Sequence, residues 1–259
     1  MKVRDIMSKD VVTIDKDQTL SFAVQRLKKK KVGRLLVAEK GKVVGILTKR
    51  DIARKLGSSR TERLTSGRTY VSSAMTKNPV KIIASEDASK AAMLMVDMKI
   101  GALPVVEGDE TIGIISRTDL LGMAKKLKTP ISEVMNRDVI EISPETRVTR
   151  ARELMLKNEV WGLPVIDNNL LVGIITEGDV AEAFETFRRL VSSRHMPARV
   201  RTMLVKEIMS GSPVKAKPDD KVSKVATLLK KHKIDGLPVV DSKDHVLGIV
   251  TKTDIIRLL

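Results

Sequence analysis

Cysteine is absent from the 259 residues, which excludes disulfides, thiolate metal sites and a cysteine nucleophile together. Aromatic residues are nearly absent, with three Phe, one Tyr and one Trp, so a core must be built from Val, Ile, Leu and Met. Base stacking on a row of aromatic side chains is excluded for the same reason. The three histidines, His195, His232 and His245, are scattered and form no metal-ligand cluster. No apolar run approaches the roughly 20 residues that span a bilayer. The N-terminus Met1-Lys2-Val3-Arg4-Asp5 has no apolar signal core. These absences predict a cytoplasmic protein that does not enter a membrane. Acidic residues are in deficit, 32 against 48 Lys plus Arg, giving a formal net charge of +16. Such a surface attracts phosphate groups without distinguishing nucleotides, nucleic acids and acidic proteins. No Ser-His-Asp arrangement and no Gly-rich phosphate loop is legible, and catalysis is not expected.

What the chain does have is one pattern written four times. A Met closes a short opening segment at Met7, Met75, Met135 and Met209. Twenty-nine residues later an apolar stretch of the type Leu-Pro-Val places Leu36, Pro104, Pro164 and Pro238 in register. Gly45, Gly113, Gly173 and Gly248 then open a Gly-apolar-apolar-Thr/Ser-x-x-Asp ending, closed by Asp51, Asp119, Asp179 and Asp254. From Met to Asp the separation is 44, 44, 44 and 45 residues. A register held this closely marks a structural repeat, each copy read as one folded unit.

The copies predict the order β-α-β-β-α, an α/β (α+β) fold. In the first, Val11 to Ile14 is a β-rich run and Thr19 an N-cap for a helix carrying Leu20, Val24 and Leu27 on one face. Lys28 to Lys31 end that helix, which suits its negative dipole end. Two strands joined at Lys40-Gly41 follow, and Asp51-Ile52-Ala53 opens a second helix. A copy of about 60 residues buries too little apolar surface alone, so copies should pair. The longer spacers at 55–70 and 185–204 point to units at 1–67, 68–126, 127–200 and 201–259, grouped as modules 1–126 and 127–259.

Taken together, these residues resemble the CBS (cystathionine-β-synthase-type) domain family over nearly the whole chain. The four Gly-apolar-apolar-Thr/Ser-x-x-Asp endings, each preceded by its Leu-Pro-Val strand, carry the resemblance. It implies two Bateman modules in a disc-like arrangement, similar to the γ-subunit of AMP-activated kinase. It also implies clefts for AMP, ADP, ATP or S-adenosylmethionine-like ligands, the Asp accepting from both ribose hydroxyls and the Thr/Ser hydroxyl meeting ribose or phosphate. The bare chemistry agrees, since a carboxylate has two acceptor oxygens for a vicinal diol. A second reading stays open: Thr/Ser-x-x-Asp before an apolar helical run is also a capping motif that binds nothing.

The copies differ in the residues beside the motif. Ser116 and Asp119 have Arg117 adjacent and are expected to face Arg34, the best phosphate site. Thr48 and Asp51 have Lys49 and Arg50. Thr251 and Asp254 have Lys252 and are expected to face Trp161, which either stacks on a purine or packs at an interface. Thr176 and Asp179 have Glu177 instead of a base and are expected to face Asp235, which disfavours a phosphate. No metal ligand set and no required cofactor are expected, Mg²⁺ entering only alongside a nucleotide. The chain therefore reads as a non-catalytic regulator that binds an adenosine ligand, shifts the relative angle of its modules and signals to a partner protein, with a homodimer compatible. The alternative is a DNA- or RNA-binding protein that contacts backbone phosphates through the basic inserts 50–68 and 188–201.

Overall fold

A computed structural model describes residues 1–56, 69–190 and 202–259. The predicted element order recurs in each copy. In copy 1 the strand β1 (Thr13–Asp15) runs parallel to β2 (Arg34–Glu39), which is antiparallel to β3 (Lys42–Thr48). A helix over Leu20–Lys30 joins the first two strands, and Thr19 caps it by accepting from the Phe22 amide at 3.2 Å. Its last turn carries Lys28, Lys29 and Lys30, and Lys31 leaves the helix in the left-handed region, φ 53°. The β2–β3 turn uses Lys40 and Gly41, both at positive φ, the geometry of a tight two-residue hairpin. A second helix over Lys49–Leu56 follows directly.

Copy 2 has β5 (Ile82–Ile83), β6 (Ala102–Glu107) and β7 (Glu110–Ser116), copy 3 has β8 (Gly162–Asp167) and β9 (Leu170–Thr176), and copy 4 has β11 (Gly236–Val240) and β12 (Val246–Thr251). The first strands of copies 3 and 4 shrink to single parallel bridges, Ile142 to Val165 and Ala216 to Val239.

The folded unit is not the sequence unit. Each opening segment leaves its own copy and docks on the neighbouring copy of its module. Val3 and Arg4 donate backbone hydrogen bonds to Glu86 and Ala84 in copy 2, while Val71 and Ser72 donate to Gln18 and Lys16 in copy 1. Module 2 repeats the exchange, Ile131 and Ser132 donating to Asp220 and Pro218, Val205 and Lys206 to Thr146 and Pro144. The opening segment then adds an edge to its partner's sheet. Strand β4 (Thr76–Lys77) of copy 2 pairs with β3, and β10 (Ser210–Gly211) of copy 4 with β9. Ser8 pairs with Ile114 and Asn136 with Ile249.

This exchange explains the Met and the Gly of the repeat together. A Cβ on Gly113 would lie 2.7 Å from Met7 Sδ, on Gly45 2.7 Å from Met75 Sδ, on Gly173 2.7 Å from Met209 Sδ and on Gly248 2.8 Å from Met135 Sδ. Each Met covers the Gly of the other copy, and any side chain there would overlap it. The group that approaches each of these glycines is the methionine of the other copy.

Helices join the modules. The helices Lys49–Leu56 and Glu177–Leu190 pack together, so copies 1 and 3 share one apolar core that includes Leu20, Leu47, Ile52, Val148, Val180 and Phe184. Copies 2 and 4 share the other, with Met95, Leu120, Leu121, Val225, Leu229 and Ile255. Arg152 of copy 3 reinforces the first junction by donating to the carbonyls of Ala53 and Arg54, both at 2.9 Å, at the end of the copy 1 helix. Lys28 pairs with Glu182 across the same junction, and Lys99 with Glu159 at 2.5 Å between copies 2 and 3.

Candidate functional site

The four motif endings adopt one geometry. In each, the Asp Oδ2 accepts both the backbone amide and the hydroxyl of the Thr or Ser three residues earlier. The distances are 2.8 and 2.6 Å for Asp51–Thr48, 2.7 and 2.6 Å for Asp119–Ser116, 2.8 and 2.7 Å for Asp179–Thr176, and 2.8 and 2.7 Å for Asp254–Thr251. In three copies the hydroxyl also accepts the Asp amide, at 3.2 to 3.4 Å. The capping reading is therefore realised everywhere and occupies one carboxylate oxygen per copy. The second oxygen stays open: among the described residues only Asp119 Oδ1 has a protein donor, the Ser8 hydroxyl at 3.4 Å. In copies 1, 3 and 4 the motif caps with one oxygen and presents the other; in copy 2 the second oxygen holds the Ser8 hydroxyl.

The strand residues expected to face these caps lie beside them first within their own copy. Arg34 pairs with Thr48, Ala102 with Ser116, Gly162 with Thr176 and Gly236 with Thr251 across the hairpins. Of these, the Arg34 side chain reaches the other copy of the module. Arg34 donates from Nη1 to the Gly101 carbonyl and lies close enough to Asp119 to interact with it electrostatically. That brings Arg34 into the region of the Ser116–Asp119 cap, as the sequence predicts. Trp161 lies against Gly236, where an added Cβ would sit 2.7 Å from two indole atoms. The indole is thus engaged in packing between copies 3 and 4.

Where the modules meet, charged residues of all four copies converge. Arg50 of copy 1 donates from Nε to Glu177 of copy 3 at 2.5 Å. Lys49 extends over the neighbouring residue, its Nζ 3.2 Å from where a Cβ on Gly178 would stand. The base that copy 3 lacks beside its own cap is thus supplied by copy 1. Lys252 and Asp235 of copy 4 pair at 3.0 Å, the ammonium side chain 7% exposed and the carboxylate side chain 63%. Asp235 lies between copies, close enough to Arg34 and Arg117 to interact with both. Burial pushes its carboxyl up, but Lys252, Arg34 and Arg117 outweigh this and hold it below the ordinary value. Sequence reading took Glu177 and Asp235 as two extra carboxylates that disfavour a phosphate; the structure gives each a basic partner.

Among the described residues, Arg117 of copy 2 has no such partner. Its Nε is buried without a hydrogen bond. Burial, then the nearby Arg34 and Arg50, lower its guanidinium to about 10, against the attraction of Asp235 and Asp254. Burial likewise lowers Arg34, with Asp235 and Asp119 opposing. Three guanidiniums close enough to interact, one with an unmet donor, form a locus for an anion. Asp179 is raised above its ordinary value by burial, its Thr176 hydrogen bonds and Lys49 acting against this. Glu177 is raised to about 7 by burial, Arg50 opposing and Asp235 and Asp51 adding to the rise.

No set of three or more His, Cys, Asp or Glu that could hold a metal ion occurs among the described residues. No described helix is long and apolar enough to cross a membrane. Of the basic inserts, 57–68 and 191–201 lie outside the described residues, as do the side chains of Arg188 and Arg189. Arg152, which caps the copy 1 helix from copy 3, was not singled out by the sequence; an Arg within an amphipathic helix carries no signal of its partner.

Comparison with known proteins agrees with this architecture. The CBS domain model matches residues 3–58, 71–126, 131–186 and 205–259. An uncharacterised protein of Methanocaldococcus jannaschii is 28% identical over 274 residues, covering 96% of this chain and 95% of its own. The crystal structure of an M. jannaschii protein described as a candidate archaeal homolog of g-AMPK superposes with a TM-score of 0.87 at 27% identity, covering 100% of this chain and 99% of that one. The inosine-5′-monophosphate dehydrogenase of Korarchaeum cryptofilum is 34% identical over 148 residues, but these are only 28% of the enzyme and 56% of this chain. The chain, built from four such repeats in two pairs, belongs to the CBS domain family.

Proposed function

We propose that the chain is a non-catalytic sensor that binds adenosine-type ligands beside its Thr/Ser-x-x-Asp caps and passes the binding event to a separate partner. The open Oδ1 of Asp51, Asp179 and Asp254, and that of Asp119, where a ribose would displace only the Ser8 hydroxyl at 3.4 Å, carry the reading together with the mutually close Arg34, Arg50 and Arg117. A ribose diol needs a carboxylate acceptor, and a phosphate a few ångströms away needs guanidinium donors. The best site pairs Ser116 and Asp119 with Arg34; Thr48 and Asp51 with Lys49 and Arg50 form the next. Thr251 and Asp254 have Arg117 in electrostatic reach. Thr176 and Asp179 depend on Lys49 of copy 1 for positive charge. The similarity to a structure described as a g-AMPK homolog supports an adenine nucleotide over other phosphates.

The response to ligand is not a wide swing of one module on the other. Separating the shared core would expose Ile52, Val180 and Phe184, each fully or almost fully buried. At about 1.5–3 kcal/mol per side chain that costs roughly 5–9 kcal/mol, more than the 1–3 kcal/mol typical of a ligand's coupling energy. Rearrangement of the charged cluster is the less costly route.

Calorimetric titration with AMP, ATP, S-adenosylmethionine and a short RNA at two salt concentrations tests the reading. Nucleotide binding with weak salt dependence supports it. RNA binding that collapses with salt, and no nucleotide binding, overturns it in favour of contacts to nucleic-acid backbone.

A further inference from the structure

Glu177 occupies the position that holds Lys49, Arg117 and Lys252 in the other copies. Its side chain is only 12% exposed and leaves its own cap to meet Arg50 of copy 1. Arg50 directly precedes Asp51, the cap aspartate of copy 1. Its second guanidinium arm reaches the Glu159 carbonyl of copy 3 at 3.3 Å. The same guanidinium thus borders the copy 1 cleft and fastens copy 1 to copy 3.

We propose that Glu177 is a tethered anion that holds Arg50 in the unliganded protein, so that a ligand phosphate entering the copy 1 cleft must displace it and thereby loosens the contact between copies 1 and 3. The proposal rests on the nucleotide reading above and adds its regulation. It makes Glu177 a specificity-determining residue. A nucleoside without phosphate offers nothing to Arg50 and leaves the pair intact, whereas a phosphorylated ligand competes for it. The displaced carboxylate would be poorly placed to stay ionised. Among the groups that interact with it are Arg50 and Asp51 on one helix of copy 1 and Asp235 at the start of β11. Lys49 lies over Gly178, the next residue. Once Arg50 turns to phosphate, two carboxylates and burial favour the protonated form. Ligand binding should therefore take up a proton, with Glu177 already raised to about 7 by burial against the pull of Arg50.

The test is calorimetric titration of AMP and adenosine into the full chain and into Glu177→Gln, from about pH 7 to 8.5, where a phosphate monoester is past its second pKa near 6. For the wild type, AMP affinity should fall as pH rises, and buffers of differing ionisation enthalpy should reveal proton uptake. Glu177→Gln should bind AMP roughly tenfold tighter, the scale of a charge-assisted hydrogen bond no longer contested, with no pH slope, and should bind adenosine unchanged. Wild type and variant binding AMP equally, with the same pH slope, overturns the proposal and leaves the nucleotide reading standing. Neither protein binding AMP overturns both. Because proton uptake is read on the wild type, the proposal stays open to refutation even if the variant fails to fold.

Discussion

Replacing Gly113 by Ala tests the exchange of opening segments, on which the whole architecture depends. The new Cβ would stand 2.7 Å from Met7 Sδ and 3.0 Å from the Ser8 carbonyl oxygen, well inside the roughly 3.5–4.0 Å of a favourable contact. Ser8 cannot retreat without breaking its two hydrogen bonds to Ile114, 2.9 and 3.0 Å long. Overpacking of this kind costs about 1–3 kcal/mol, of which about 0.4–1 kcal/mol is offset by the lower entropy of the unfolded chain. A net loss of about 1–2 kcal/mol follows, and at roughly 2–4 °C per kcal/mol the melting temperature should fall by several degrees. Met7→Ala alone leaves a gap and is also destabilising. In the double variant the methyl introduced by Gly113→Ala fills part of that gap, so the two losses should fall short of additivity by about 1 kcal/mol. Thermal and urea melts of the four proteins give the cycle. Strict additivity would refute the contact, and with it the pairing of residues 1–8 with copy 2.

Further perturbations probe the other junctions. Arg152→Met keeps the aliphatic stem but removes both bonds to the Ala53 and Arg54 carbonyls. It should cost about 1–3 kcal/mol in urea melts; no change would mean that these two bonds add nothing to the junction. Glu177 shifts the pH dependence of stability. Its folded pKa, raised from 4.5 to about 7, means that the unfolded chain ionises first, so stability falls as pH rises through this window and the loss is complete above it. Wild type measured against Glu177→Gln should therefore lose ground from about pH 4.5 to about 7, and an opposite slope would contradict the burial assigned to Glu177. Thr251→Ala removes a hydroxyl that bridges Asp254 Oδ2 and the Asp254 amide and should cost about 1 kcal/mol as a lost cap, seen as a lowered melting temperature.

The repeat made much of the local structure legible. Thr19 as a cap, the Lys40-Gly41 turn and the β-α-β-β-α order each follow from short-range rules, because the residues that decide them are neighbours in sequence. The Thr/Ser-x-x-Asp endings were legible in both senses; the structure gives one oxygen to the cap and, in copies 1, 3 and 4, leaves the other open. What the sequence withheld is which copy each residue touches. A period shows that Met7 and Met75 are equivalent but not that Met7 covers Gly113 in the other copy. Nor does it show that Arg50 and Lys49 serve copy 3, since a pseudo-symmetric assembly allows several pairings with the same spacing. Glu177 and Asp235 were visible as exceptions to the pattern. Their ion pairs were not visible, because Arg50 lies 127 residues from Glu177 and the Lys252–Asp235 pair depends on hairpin register.

The most direct test of the account is a crystal structure of the full chain grown with AMP. Ribose density within hydrogen-bond distance of Oδ1 of Asp119 or Asp51, with phosphate against Arg34 or Arg50, is the predicted result. AMP bound elsewhere, with all four cap aspartates untouched, would contradict it.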